Sequence, residues 1–265
     1  MIAVDSNRFV TVYYKLDTGK SDRYTRIAFL SDLHSKSYGR DNAKLLDAIK
    51  EVSPDLILIG GDMVTASRNQ KIEGALSLTE RLKEDYPVYY GSGNHEQRLM
   101  LYPERYPGVT EKLESQLSDQ GIIRLRNTEA EVQDTQITMS SVEIERAYYK
   151  RSKPPMLTAE KMREYLPGER QEGRIQILLA HNPDYFKAYR DWGADLVLAG
   201  HVHGGIVRLP FLGGVISPNL TLFPKYDGGE FKEEGSVMII SRGLGSHTIP
   251  WRLFNPGELV VIDVR

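Results

Sequence analysis

The chain has 265 residues, of which 40% are hydrophobic, with a formal net charge of -2 at pH 7 and no cysteine. That length can bury a sizeable core as one large α/β domain over 1–265. The charge gives no overall basic footprint for nucleic acid, and the lack of cysteine excludes disulfide frameworks, thiolate zinc sites and thiol nucleophiles without deciding the compartment.

No apolar run approaches the roughly 20 residues that span a bilayer, and Met1 to Lys20 lacks the basic start and apolar centre of a secretory signal. The chain as written reads as soluble. Its start leads almost directly into an alternating strand, Arg8 to Leu16, which is compatible with removal of an upstream anchor or signal. The expected location is the cytoplasm, or the membrane or exterior where such a segment has been removed.

Further along, short β-branched runs read as strands covered on both faces. Ile27–Leu30 precedes Ser31-Asp32-Leu33-His34, and Leu56–Ile59 precedes Gly60-Gly61-Asp62. Between them, Asp41 to Val52 carries Leu45, Leu46, Ile49 and Val52 at helical spacing and is stopped by Pro54. Val88–Tyr90 precedes Gly93-Asn94-His95-Glu96, and a helix from Thr110 to Gln120 ends at Gly121. The closely spaced runs Ile122–Leu125, Glu131–Gln133 and Gln136–Met139 suggest an antiparallel second sheet. Residues 143–173 read as a polar insertion. Ile175–Leu179 then precedes Ala180-His181-Asn182, Leu196–Ala199 precedes Gly200-His201-Val202-His203-Gly204-Gly205, and Val237–Ile240 and Glu258–Val264 add two more strands. The pattern fits an α/β fold, a four-layer α-β-β-α sandwich of two mixed sheets flanked by helices.

Five of the six histidines lie in these strand-end patterns, where open α/β sheets present ligands. Asp32 and His34 are two apart, so in extended backbone they face the same way and can grip one cation. His201 and His203 repeat the spacing between glycines. Asp62 follows two glycines and can bridge two metals, while Asn94 offers a neutral carbonyl oxygen. Nitrogen and oxygen ligands favour two divalent ions such as Mn, Fe or Zn. Such a pair lowers the pKa of a bridging water and clamps the oxygens of an in-line displacement, which suits phosphate ester hydrolysis.

The ordered set from Asp32 to His203, with Ser241-Arg242-Gly243-Leu244-Gly245 beyond it, resembles the calcineurin-like metallophosphoesterase family. The resemblance implies that Asp32, His34, Asp62 and His203 hold the first metal. It implies that Asp62, Asn94, His181 and His201 hold the second, with His95 as the catalytic imidazole that meets the phosphoryl group or leaving oxygen. Gly204-Gly205 followed by Arg208-Leu209-Pro210-Phe211 is similar to bacterial membrane-associated or exported phosphodiesterases, among them relatives acting on lipid-linked pyrophosphates such as UDP-diacylglucosamine. The implied substrate is a small or lipid-linked phosphodiester or pyrophosphate, with membrane association through that lipid or a missing anchor. The chain departs at Ile206, where the subgroup has Gln, and at Thr65, where the wider family often has an acid.

Other residues carry two readings. Arg242 could clamp a substrate phosphate or form a structural salt bridge, and Glu96 could orient a ligand or cap a helix. The basic, aromatic segment Arg146–Pro155 could meet an anionic group or be a solvated loop. Leu209–Ile216 could shape an acyl or aromatic pocket, and His247 has no place in the motif set. Monoesterase or nuclease action by the same metal pair, and a non-catalytic interaction scaffold, are the competing functions.

Overall fold

The computed structural model describes all residues except 1–4, 68–70, 151, 206, 210–212, 217–223 and 247–251. His247 and Ile206 therefore lie outside the described residues, and the 209–216 loop partly so.

Among the described residues, two six-stranded sheets pack face to face. The first runs β1 (Phe9–Leu16), β14 (Gly257–Val264), β2 (Thr25–Leu30), β3 (Leu56–Ile59), β4 (Val88–Gly91), β5 (Ile123–Leu125). The second runs β12 (Gly229–Glu233), β13 (Ser236–Ile240), β9 (Leu196–Ala199), β8 (Ile175–Ala180), β7 (Ile137–Val142), β6 (Thr128–Glu131). A separate hairpin pairs β10 (Val207–Leu209) with β11 (Gly213–Ile216).

The strand alternation builds the layers. Ile27, Phe29, Leu56 and Leu58 face Ile175, Ile177, Leu196 and Leu198 in the core between the sheets. Ala28, Leu30, Ile57 and Ile59 point the other way, onto helices α1 (Ala43–Val52), α2 (Glu73–Asp85) and α4 (Val109–Asp119). On the far side, Leu178, Val197 and Met238 pack against α5 (Ala159–Tyr165) and α6 (Phe186–Trp192). Strands buried on both faces need a helical layer on each side of the sandwich, and this is the α-β-β-α architecture. No helix of the described residues is long and apolar enough to cross a membrane.

Three strand expectations need correction. The run at Ile123–Leu125 does not join the second sheet; it pairs parallel with β4 at the edge of the first. Its Arg124 explains the placement, because the guanidinium donates to the Tyr90 carbonyl at 2.9 Å, pairs with Glu114 and lies over the Tyr90 ring. The second sheet is mixed, as the four-layer expectation has it, rather than antiparallel as the closely spaced runs suggest, with β7, β8, β9 and β13 parallel and only the edge strands β6 and β12 reversed. The strand read at Glu131–Gln133 lies earlier, at Thr128–Glu131, ahead of a turn at Asp134 with positive φ. Residues 143–173, polar in overall composition, send Ile144, Tyr148, Leu157, Met162 and Leu166 into the outer core.

Candidate metal centre

Five loops leave the carboxyl ends of β2, β3, β4, β8 and β9 and converge. The β2 and β3 loops are zipped by backbone bonds, Asp32 N–H to the Gly61 carbonyl at 2.9 Å and His34 N–H to the Asp62 carbonyl at 3.0 Å. Helix α3 (Asn94–Leu101) starts at the β4 loop and contributes Glu96, which is buried. Its carboxylate accepts the N–H of Asp62 and Met63 at 2.8 Å each, that of Gly93 at 3.0 Å and the Tyr90 hydroxyl at 2.9 Å. Glu96 therefore anchors the Asp62 loop and caps α3, so both readings of its role meet in one side chain.

Both carboxylates are held by hydrogen bonds and turned toward the imidazoles, Asp62 through Oδ1 and Asp32 through both oxygens, which share the His201 N–H at 3.1 and 3.2 Å. Asp62 Oδ1 accepts the His95 N–H at 2.7 Å, and Asp62 Oδ2 lies 3.2 Å from His181 Nε2 and 3.8 Å from His34 Nε2. The Ser31 hydroxyl donates to Asp32 Oδ2 at 2.5 Å, while Asp32 Oδ1 lies 3.4 Å from His203 Nε2, 3.8 Å from His181 Nε2 and 3.9 Å from His34 Nε2. His34 Nε2 and His203 Nε2 face each other at 3.2 Å. Asp32, His34 and His203 form one group able to hold a cation, and Asp62, His181 and His201 another. The buried Asn94 Oδ1 and His181 Nε2 have no hydrogen-bond partner; the 3.2 Å approach of His181 to Asp62 lacks hydrogen-bond alignment. Orphaned buried polar atoms of this kind are costly, and donors of this type and grouping fit divalent metal ions.

Backbone geometry departs from the extended form expected for the paired ligands. Asp32, His34, Asp62, His201 and His203 all have φ between 49° and 70°. The left-handed turns, not strand alternation, aim these side chains at one point, at a cost in strain.

Ring hydrogen bonds sort the imidazoles. His181 Nδ1 meets the Gly60 carbonyl at 2.8 Å and His203 Nδ1 the Gly245 carbonyl at 3.2 Å. A carbonyl only accepts, so His181 carries a proton on Nδ1 and, in the neutral ring, turns the Nε2 lone pair inward; the shorter Gly245 contact gives His203 the same arrangement, with Arg252 Nη2 farther from its Nδ1 at 3.5 Å. His34 Nδ1 meets the Thr65 hydroxyl at 3.1 Å. His95 is reversed: its Nδ1 accepts the Ala66 N–H at 2.9 Å, which in the neutral ring leaves the proton on Nε2. His95 also falls into a compact group with His34 and Asp62, but this tautomer makes it a donor rather than a ligand.

Burial pushes the Asp62 carboxyl up to about 7, with the Glu96 and Asp32 carboxylates adding to it and His181 opposing. Burial alone would deprotonate His181, yet the Asp62 and Asp32 carboxylates carry it up to about 10. Asp32 is likewise raised, chiefly by burial.

Arg242 is turned onto buried Glu258, with Nη2 at 3.1 Å and Nε at 3.2 Å from the same oxygen; this is the salt-bridge arrangement. Sequence reading missed several supports. Arg252, itself buried, donates to the Gly243 carbonyl at 3.1 Å and to the Gly245 carbonyl, and Asn255 donates to the carbonyls of His203 and Gly205 at 2.7 and 2.8 Å. A lone Arg and Asn ahead of the last strand carry no spacing that points to the centre. Tyr149, inside the basic and aromatic segment, places its ring 5.2 Å from that of His201.

A family model described as calcineurin-like phosphoesterase matches residues 25–205. The chain is 30% identical over 196 residues to the phosphodiesterase YaeI of Escherichia coli, covering 73% of this chain and 66% of that protein. It is 25% identical over 269 residues to YpbG of Bacillus subtilis, covering 97% and 88%. With a metallophosphoesterase of Helicobacter pylori (strain 26695) it shares 27% identity over 253 residues, covering 92% of this chain and 60% of that one. The chain thus spans less than two thirds of the length of the first and third of these relatives.

Proposed function

The chain belongs to the calcineurin-like phosphoesterase family, and from that premise we propose that it hydrolyses a phosphodiester or pyrophosphate bond of a small or lipid-linked substrate with the help of two divalent metal ions, Mn, Fe or Zn. The observation that carries this reading is the opposed polarity of the imidazoles, Nδ1 donating to a carbonyl in His181 and His203 and accepting a backbone N–H in His95, so that the neutral rings turn opposite faces of Nε2 to the centre.

Asp32, His34, Asp62 and His203 would hold one cation, and Asp62, Asn94, His181 and His201 the other. Such a pair supplies a water of lowered pKa and neutralises charge on the phosphoryl oxygens. Around it the chain's own residues orient and donate. The carbonyls of Gly60 and Gly245 fix two ring planes, Glu96 holds the Asp62 loop in register, and His95, accepting the Ala66 N–H on Nδ1, would act through its Nε2–H on a phosphoryl or leaving-group oxygen. The preference for a diester is supported by the phosphodiesterase name of the E. coli relative.

The test is steady-state hydrolysis of bis(p-nitrophenyl) phosphate against p-nitrophenyl phosphate by metal-stripped protein reconstituted with Mn, beside Asp62→Asn. The expected result is metal-dependent preference for the diester, with turnover lowered about 100-fold or more in the variant. Preference for the monoester would replace this reading with a phosphatase, and wild-type turnover in Asp62→Asn would end it.

A further inference from the structure

The 3-10 turn Arg146–Tyr149 follows β7 and carries a basic, aromatic face for which the metal pair has no use. The metal-bearing segments themselves hold this turn in place. Gln97, on α3 three residues after Asn94, donates to the Ile144 carbonyl at 2.8 Å. Asn182, next to His181, and the Tyr185 hydroxyl donate to the Tyr148 carbonyl at 3.3 and 2.8 Å. Tyr148 is buried edge-on against Tyr185, and Tyr149 meets the His201 ring at 5.2 Å and 74°. His201 is the one imidazole of the described set that is only half-buried, so Tyr149 borders the open side of the centre.

Residues i and i+3 of a 3-10 turn eclipse, with a rise of about 6 Å. Arg146 therefore shares the face of Tyr149, one turn further out. Its guanidinium lies over the Tyr102 ring, 5.1 Å from the centroid, and donates to the Tyr102 hydroxyl. Arg105 lies over the same ring, also at 5.1 Å. The two guanidinium carbons are therefore no more than about 10 Å apart, near enough for the like charges to repel. Among the described residues no carboxylate pairs with Arg146, and Arg105 has only exposed Glu104 at 3.9 Å. An anion that meets both forks would relieve that repulsion.

We propose that Tyr149, Arg146 and Arg105 form a second anion subsite of the substrate site, with the phenol next to the metal pair and the two guanidiniums taking a further phosphate or carboxylate one turn of the 3-10 segment beyond the phenol. The inference rests on the phosphoester reading. It selects substrates that carry a second anionic group over simple diesters.

Calorimetric titration of the Mn-loaded protein tests it with three ligands of one length: butylphosphonate, 4-phosphonobutyrate and butane-1,4-bisphosphonate. The two-anion ligands are expected to bind at least about tenfold tighter than butylphosphonate, since charge-assisted pairs with arginine are strong. That ratio should fall below about threefold in an Arg105→Ala, Arg146→Ala double variant, both side chains being exposed. A gain shared by the carboxylate and the bisphosphonate assigns the subsite to charge alone, and a gain for the bisphosphonate only assigns it to phosphate. Tyr149→Phe keeps the ring against His201 and should weaken all three ligands alike. Equal affinities in the wild type, or an unchanged ratio in the double variant, would overturn the subsite. Because binding is read without turnover, a protein that shows the ratio but cleaves no diester defeats the functional reading, whereas diester cleavage with a ratio near one defeats the subsite alone.

Discussion

Asp62 and His181 sit at the junction of the two ligand groups, and their proton affinities define how the centre responds to pH. Burial lifts the Asp62 carboxyl to about 7, and the Asp62 and Asp32 carboxylates carry His181 to about 10 against the opposing effect of burial. Both folded values lie above the ordinary ones of 3.8 and 6.5. Protonation of this pair therefore stabilises the metal-free fold. That contribution is full below the unfolded value of each group and is lost as pH rises, through about 7 for Asp62 and about 10 for His181. Ligation requires the same protons to leave, so metal affinity should rise over the window in which metal-free stability declines. In the presence of chelator, the Tm of the wild type should drop more steeply between about pH 5 and 9 than that of Asp62→Asn, which lacks both the carboxyl and the main charge acting on His181. Parallel Tm curves for the two proteins would mean that neither group is shifted.

At the scale of elements, the site depends on how closely two loops approach. A Cβ at Gly61 would lie 2.0 Å from the Gly93 nitrogen, and one at Gly93 would lie 2.2 Å from Asp62 Oδ1 and 2.6 Å from Asp62 N. The β3 and β4 loops therefore pack backbone against backbone, and Asp62 is placed by that contact as much as by Glu96. Gly93→Ala should displace Asp62 by a fraction of an ångström to an ångström, lowering turnover about 100-fold and stability by about 1–3 kcal/mol. Diester kinetics, bound-metal content and denaturant unfolding of the variant check this, and wild-type activity would mean that the loops yield without moving the carboxylate. Much of this arrangement was legible in the sequence, because strand-end Asp, Asn and His are recognisable wherever β-branched runs precede them. The edge strand β5 was not, since three residues of apolar alternation do not say which sheet they join and Arg124, whose contacts hold it to β4, reads as an ordinary surface charge. Residues 143–173 were misleading for a related reason. Ile144, Tyr148, Leu157, Met162 and Leu166 are spread too widely among charges to form a period, yet each is buried. Arg252 and Asn255 were invisible because their work is done on the carbonyls of His203, Gly243 and Gly245, which no side-chain pattern records.

For the whole molecule, the distribution of the candidate ligands between the sheets matters most. Asp32, His34, Asp62 and Asn94 follow strands of the first sheet, whereas His181, His201 and His203 follow strands of the second. Any cation held by both sets ties the two inner layers together at their carboxyl ends, beyond the apolar core between them. Binding to the folded chain alone stabilises it by RT ln(1 + [M]/Kd), about 2.7 kcal/mol at a hundredfold excess over Kd. For a chain of this size that corresponds to a rise in Tm of roughly 5–10 °C. Titrating Mn into stripped protein should give that rise, and its dependence on each sheet is the sharper test. His181→Ala removes a candidate ligand of the second sheet and Asp32→Asn one of the first, so each should remove most of the Mn-dependent shift if the ions bridge the layers. Retention of the full shift in His181→Ala, with its loss in Asp32→Asn, would place the binding energy on the first sheet alone. The metals would then be passengers on one layer, and the apolar contacts of Phe29, Leu58, Ile177 and Leu198 would account for the cohesion of the sandwich without them.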